Sequence, residues 1–313
     1  MNDIIMVNGS TEIIQSEALR SDLFERWTAY IDAAPKTIQT YTRNIKQFSE
    51  WLRVNGITAP AREDVLRFRE ELRATHKPAT VQAYITAIKL FFKWTAAERL
   101  YPDISDKIKS VKVDAGYKKD YLTSGQARAV LESIDRSSES GLRDYAIVCL
   151  MLTTGLRTIS VINANIDDLR TLGDITVLYY QGKGHTEKAE FVKIEAPVEA
   201  AIRAYLQQRG EKSSQAALFA SRAHRNGGER MTTRSISRIA KNALKAAGLD
   251  SDRLTAHSMR HTFATQALLN GANVQEVQQA LGHKSINTTM IYAHNIEKAK
   301  NTSSSKVSAV LFG

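Results

Sequence analysis

Six side chains in this sequence form a set with a coherent chemistry. Arg157 lies in Thr153-Thr154-Gly155-Leu156-Arg157 and Lys183 in Gly182-Lys183-Gly184. His257 and Arg260 lie in His257-Ser258-Met259-Arg260, His283 follows Leu281-Gly282, and Tyr292 closes the series. Guanidinium groups can neutralise the oxygens of a phosphodiester. Histidines can hydrogen-bond and move protons. A tyrosine hydroxyl can attack phosphorus and hold it covalently. A phenol that keeps its proton is a poor nucleophile, so Tyr292 needs positive charge and a proton acceptor nearby. Two arginines and two histidines supply both kinds of group.

Taken singly, each residue has a plainer reading. Most tyrosines are half-buried aromatics with a polar tip. His257 and Arg260 are three residues apart, hence on one helix face, and could be a surface pair. Lys183 could be a solvated turn lysine, although its two glycine neighbours would let backbone approach a phosphate closely. His283 sits just past a helix ending at Gly282, a left-handed cap position, and could be a turn histidine. Arg157 emerges from a strongly apolar helix, where a charge is either paired or functional. His261, next to Arg260, falls on another face and reads as a solvated or structural histidine.

Two groups of elements must position this set. From Leu23 to Leu100 apolar residues recur at helical spacing: Leu23, Trp27, Tyr30 and Ile31, then Ile38, Tyr41, Ile45, Phe48 and Leu52, then Val65, Phe68 and Leu72, then Val81 to Trp94. Pro35, Gly56, Pro60 and Pro78 punctuate the joins, which predicts about four helices. Tyr101 to Leu122 loses apolar periodicity and carries Lys107, Lys109, Lys112, Lys118 and Lys119, as a basic linker would. A helix is expected from an N-cap at Ser124 and another from Gly141 through Leu152. Ile175–Tyr180 and Ala189–Ile194 read as strands flanking a turn-rich tip, and the pattern from Pro197 onward is mostly helical. The fold class is therefore mainly α with a small β-sheet (α+β). Expected divisions are an arm over 1–18, a helical domain over 19–102, a linker over 103–120, a mixed domain over 121–295 and a tail over 296–313.

Composition narrows the partners. The chain has 313 residues, with 43 Lys and Arg against 33 Asp and Glu and a formal net charge of +10, which favours a polyanion and says nothing about fold. The single cysteine, Cys149, sits in an apolar run and has no disulfide partner. No Cys/His spacing suggests a metal site. No secretory signal is apparent at Met1–Met6, and no apolar run approaches the ~20 residues that span a bilayer. Composition points to a reducing interior compartment and to no membrane partner.

In the order Arg, Lys, His-x-x-Arg, His, Tyr, these residues resemble the tyrosine recombinase and phage integrase family. The resemblance runs from about Ser21 to Tyr292 and rests on T-G-L-R, the G-K-G tip, H-S-M-R-H-T-F-A-T, L-G-H-K-S and the late tyrosine. It implies a helical core-binding domain and a mixed catalytic domain closing on DNA as a clamp, in the compact, Xer-like form. It also implies that Arg157, Lys183, His257, Arg260, His283 and Tyr292 are the functional set. Tyr292 would form a 3′-phosphotyrosine and release a 5′-hydroxyl. Arg157 and Arg260 would hold the non-bridging oxygens, and His257 would accept or relay the tyrosine proton. His283 would donate to a phosphate oxygen, and Lys183 would protonate the leaving oxygen. No metal, nucleotide or other cofactor is called for.

The implied partners are double-stranded DNA with specific recombination sites and a homo-tetramer on paired sites. The implied setting is the cytoplasm, with a bacterial, phage or mobile-element origin. Candidate DNA contacts are Lys36, Thr37, Thr40, Arg43 and Lys46 along one helix and Lys77, Thr80, Lys89 and Lys93 along another. A second surface would be Arg234, Arg238, Lys241 and Lys245, opposite the apolar Ile236, Ile239, Ala243 and Leu244. Solvated helix faces look the same in sequence. One departure from the pattern stands out: the family commonly has an acidic residue three positions after the first arginine, and this chain has Ser160, with Asp167 and Asp168 the nearest carboxylates. Two other readings compete, a tyrosine-type topoisomerase with the same phosphate chemistry and a DNA-binding regulator with a vestigial site.

Overall fold

The structure, a computed structural model, describes residues 21–112, 120–182, 187–211, 213–222 and 227–312. The 1–18 arm, Lys118 and Lys119 of the expected linker, and Lys183 with Gly184 at the hairpin tip lie outside the described residues. Two compact units are present, divided between Gly116 and Tyr117.

The first unit contains α1 (Ser21–Tyr30), α2 (Pro35–Val54), α3 (Arg62–Thr75) and α4 (Pro78–Ala97). Proline opens both α2 and α4, where its missing N–H costs nothing and its φ already suits a helix. In α3 the Asp64 carboxylate accepts from the Ala61 N–H and satisfies one of the orphan donors at the helix start. The core is rich in aromatics: Trp27, Phe48, Phe91 and Phe92 are nearly inaccessible, and Trp27 meets Phe91 edge-on at 5.3 Å. Ile108 and Val111, within the stretch read as linker, are buried in this same core. Two well-spaced apolar side chains were enough to tie residues 108–111 down, although no helical or strand period was there to signal it.

The second unit begins with α5 (Ser124–Glu132), α6 (Glu139–Thr154) and α7 (Thr158–Asn163). An antiparallel sheet in the order β1 (Leu169–Leu172), β2 (Ile175–Tyr180), β3 (Glu190–Ile194) follows. Then come α8 (Ala196–Arg209), α9 (Thr233–Ala246), α10 (Ala256–Leu269), α11 (Val274–Leu281), α12 (Ile286–Lys300) and α13 (Ser303–Phe312). Among the described residues the protein is thus mainly helical with one small sheet. Three details differ from the sequence reading. Thr123, not Ser124, is the N-cap of α5, its hydroxyl accepting from the Gln126 N–H at 3.2 Å. Strand β1 was not expected: it is four mostly exposed residues, paired to β2 through the two-residue Gly173–Asp174 loop. Between α8 and α9 the described residues are irregular rather than helical, with isolated bridges at Asn165–Ala217 and Ala220–Arg230. The apolar α6 lies at the centre of the larger core, with Ile147, Val148 and Leu150 inaccessible.

Candidate active site

Arg260 is the structural centre of the site. It is 3% exposed, a costly place for a guanidinium unless its N–H groups find acceptors. Nη1 donates to the Gly155 carbonyl at 2.7 Å and Nη2 to the Leu281 carbonyl at 2.7 Å. These carbonyls end α6 and α11, so one cation caps the negative ends of two helices. Gly155 must be glycine: its φ is +64°, and a Cβ there would lie 2.6 Å from both the Leu281 and Phe263 side chains. The Gly-Leu-Arg turn that follows sets Arg157 at the N-cap of α7, half-buried. The Arg157 guanidinium makes no hydrogen bond or ion pair among the described residues, which leaves its fork of donors available to an anion.

His283 is held from several sides. Gly282, at φ +57°, ends α11 in a left-handed turn, with the Gly282 N–H on the Gln279 carbonyl and the His283 N–H on the Gln278 carbonyl. The Gln278 side chain donates back to the His283 carbonyl at 3.0 Å, and the ring Nδ1 lies 2.8 Å from the Thr289 hydroxyl. Burial first, then Arg260, Arg157 and His257, push His283 down to about 4. At neutral pH the ring is therefore uncharged, with one nitrogen taken by Thr289.

Tyr292 is 5% exposed on α12, packed with Ala264, Val277 and Leu281. Ser285 opens α12 as its N-cap, as expected. The phenolic oxygen lies 2.9 Å from His261 Nδ1. That corrects the reading of His261 as a solvated or structural residue: it is the histidine that meets the tyrosine. His257 is exposed and stands edge-on to His261, with ring centroids 4.5 Å apart. Burial first, then the charges of His257, Arg260 and His283, push His261 down to about 4. The sequence signal was present, since His257 and His261 are four residues apart and share a helix face. What could not be read was that α12 covers that face.

The remaining candidates scatter. Lys183 lies outside the described residues. On α2, Lys36, Arg43 and Lys46 are exposed, with Thr37 and Thr40 partly so, opposite the buried Ile45, Phe48 and Leu52. Lys46 also stands over the Phe24 ring at 5.9 Å. On α4, Lys77, Thr80 and Lys93 are exposed and Lys89 is half-buried. Along α9, Arg234 and Arg238 are exposed. Lys241 and Lys245 instead pair with Asp250 at 2.9 and 3.2 Å, and Lys241 also donates to the Ser251 carbonyl. Ser160 is buried. Neither aspartate stands in for a carboxylate at that position: Asp168 binds the Asn165 N–H and Lys188, and Asp167 binds Gln215.

Two arginines, three histidines and a tyrosine thus gather within hydrogen-bond, ring-contact or electrostatic reach of one another in the second unit. Residues 120–299, more than half of the chain, match the phage integrase family, and residues 21–101 match the phage integrase N-terminal SAM-like domain. The chain belongs to the phage integrase family. It is 30% identical to tyrosine recombinase XerA of Pyrococcus furiosus over 284 residues, 89% of this chain and 91% of the relative. It is 31% identical to tyrosine recombinase XerD of Lacticaseibacillus casei over 267 residues, 83% and 88% of the two chains. In fold it is similar to XerH site-specific recombinase bound to difH substrate in a post-cleavage complex, with TM-score 0.71 and 23% identity, covering 90% of this chain and 83% of that one. It is also similar to lambda integrase in a tetramer bound to a Holliday junction, with TM-score 0.66 and 16% identity, covering 87% and 76%. These integrase-family relatives are recombinases rather than topoisomerases, and site-specific DNA recombination is the activity of this chain.

Proposed function

We propose that Tyr292 is the nucleophile of this recombinase and that Arg157, Arg260, His283, His257 and Lys183 serve the phosphate around it. The observation that carries the reading is the Tyr292 hydroxyl, buried and held 2.9 Å from His261 in the electrostatic reach of the arginine-gripped turn. The tyrosine oxygen attacks the scissile phosphorus, forming a 3′-phosphotyrosine and expelling the 5′-oxygen. Arg157 and the buried Arg260 hold the non-bridging oxygens, and His283, fixed beyond α11, donates to one of them. His261, neutral and hydrogen-bonded to the phenol, keeps it aimed. The phenol proton passes to His261 Nδ1 as the oxygen attacks, and exposed His257, edge-on to His261, relays a proton outward to solvent. Lys183 is the acid for the leaving oxygen. The phosphotyrosine retains the bond energy for resealing, so no step asks for a nucleotide.

The substrate is double-stranded DNA carrying specific sites, gripped as in a clamp by the α2 and α4 residues of the first unit and by Arg234 and Arg238 of α9. The active assembly is a homo-tetramer on two paired sites, as lambda integrase forms on its junction, and it works in the cytoplasm of a bacterium or with a mobile element. The test is a nicked suicide duplex run on a denaturing gel. Wild type is expected to leave a covalent protein–DNA band. Tyr292→Phe, which keeps the ring, binds DNA but leaves none. A band persisting in Tyr292→Phe would assign the nucleophile elsewhere.

A further inference from the structure

Glu190 opens β3 directly opposite Tyr180, the last residue of β2, at the base of the hairpin whose tip carries Lys183. The Tyr180 phenol lies close enough to the Glu190 carboxylate for that carboxylate to help raise it above its ordinary range. This pair faces the turn that ends α11. A Cβ built on Gly282 would lie 2.9 Å from Glu190 Oε2 and 3.1 Å from Tyr180 Oη, so the two oxygens occupy the space beside that glycine that a side chain would need. One residue earlier, the Leu281 carbonyl accepts from Arg260, and one residue later stands His283. The turn is therefore held by a guanidinium through Leu281 and flanked at Gly282 by the carboxylate and the phenol.

The electrostatics agree with the geometry. The Tyr180 phenol is driven well above its ordinary range, by burial first and then by Glu190, while Arg260 and Arg157 act in the opposite sense. Both arginines are thus within electrostatic reach of Tyr180. The two Arg260 hydrogen bonds described above go to neutral carbonyls. At position 160, where a carboxylate was expected, there is a buried serine, and Asp167 and Asp168 are engaged in their own loop.

We propose that Glu190 is the positioning carboxylate of this site: with Tyr180 it fixes the Leu281–Gly282–His283 turn and offsets the charge of the arginine pair. It takes no part in bond making. Its effect passes through the His283 ring, which must sit within a fraction of an ångström of its working position, and through the orientation of Arg260. This inference rests on the roles assigned above to His283 and the arginines.

The experiment compares wild type, Glu190→Gln, Glu190→Asp and Tyr292→Phe in single-turnover cleavage of the suicide duplex. DNA affinity, melting temperature and amide hydrogen exchange across residues 279–285 are followed in parallel. Glu190→Gln keeps the shape and an acceptor for Tyr180 and removes the charge. It is expected to slow adduct formation by on the order of 10²-fold, the cost of a small misplacement of reacting groups. DNA affinity and melting temperature should stay unchanged while exchange rises across 279–285. Glu190→Asp, which keeps the charge, should recover part of the rate. Cleavage by Glu190→Gln at the wild-type rate overturns the positioning role while leaving the assignment of Tyr292 intact. So does a loss that Glu190→Asp shares in full and that tracks a fall in melting temperature, because the role is then one of folding. Absence of an adduct from wild type would instead overturn the functional reading. The exchange measurement still decides in that case: unchanged protection across 279–285 in Glu190→Gln rejects the inference, and selective loss supports it.

Discussion

His261, beside the proposed nucleophile, and His283, beside Thr289, are both held neutral. His261 and His283 are both lowered from 6.5 to about 4, chiefly by burial and then by neighbouring cations. In the unfolded chain they gain protons near their ordinary value, so between about 4 and 6.5 the unfolded state binds more protons than the folded one. The sign follows: their contribution to stability is full above about pH 6.5, falls as pH drops toward 4, and levels below it. Urea unfolding across this window should therefore show wild type losing stability faster than His261→Asn or His283→Asn, with the curves parallel above pH 7. Parallel curves throughout would mean that the replaced ring takes up its proton in the fold as it does in the unfolded chain. A bound phosphate brings negative charge to the same rings, so DNA binding near pH 5.5 should be accompanied by proton uptake.

Among the elements, the meeting of the α6 and α11 ends is the most constrained. Gly155 holds a left-handed turn with no room for a methyl group between Leu281 and Phe263, and its carbonyl receives Arg260. Gly155→Ala meets two penalties. An alanine in this backbone region costs roughly 1–2 kcal/mol, and crowding a packed core costs about 1–3 kcal/mol. The expected result is a marked drop in the denaturation midpoint of the second unit with an unchanged denaturant slope, together with loss of cleavage as Arg260 is displaced. A change in midpoint within error would show that the turn relaxes easily and that Arg260 is held by other contacts. The opposite end of α10 is anchored differently. The Thr262 hydroxyl accepts from the Leu122 N–H at 2.9 Å, and Gln266 donates to the Leu122 carbonyl, so the helix bearing His257, Arg260 and His261 is tied to the start of its own unit.

For the molecule as a whole, the open question is what covers α13. Val310 is 84% exposed, Leu311 66% and Phe312 86%, a concentration of apolar surface that a solitary chain does not retain without use. The tetramer reading assigns its cover to a neighbouring protomer on paired DNA sites. Burying these side chains would contribute on the order of 1.5–3 kcal/mol each before the entropy of association is counted. That couples subunits without holding a tetramer together in the absence of DNA. Deleting residues 303–313 should leave folding and single-site DNA binding nearly intact while weakening paired-site complexes and recombination. Gel-shift assays with one-site and two-site DNA separate these. Full recombination by the truncated chain, or its unfolding, would show that α13 serves its own protomer.

The sequence by itself determined the class of chemistry and the helical character of both units, and it supplied the candidate residues. Each of those is a local property. Arg157, Arg260, His283 and Tyr292 stand in short motifs, and the apolar stripes of α2, α4 and α6 repeat every turn. The β2–β3 hairpin was legible because six- and five-residue runs rich in β-branched and aromatic residues flank a glycine-bearing tip sequence. Strand β1 was not, because four exposed residues become a strand only by pairing with β2. Tertiary structure alone decided which histidine meets Tyr292. The faces of α10 follow from its own sequence, but the arrival of α12 over one of them depends on packing around Val277 and Leu281. The same holds for the carboxylate of the site. Sequence looked for it three positions after Arg157, while cross-strand register and the bare glycine at 282 brought Glu190 there instead, because proximity in a folded chain is set by which surfaces pack and not by which residues are consecutive.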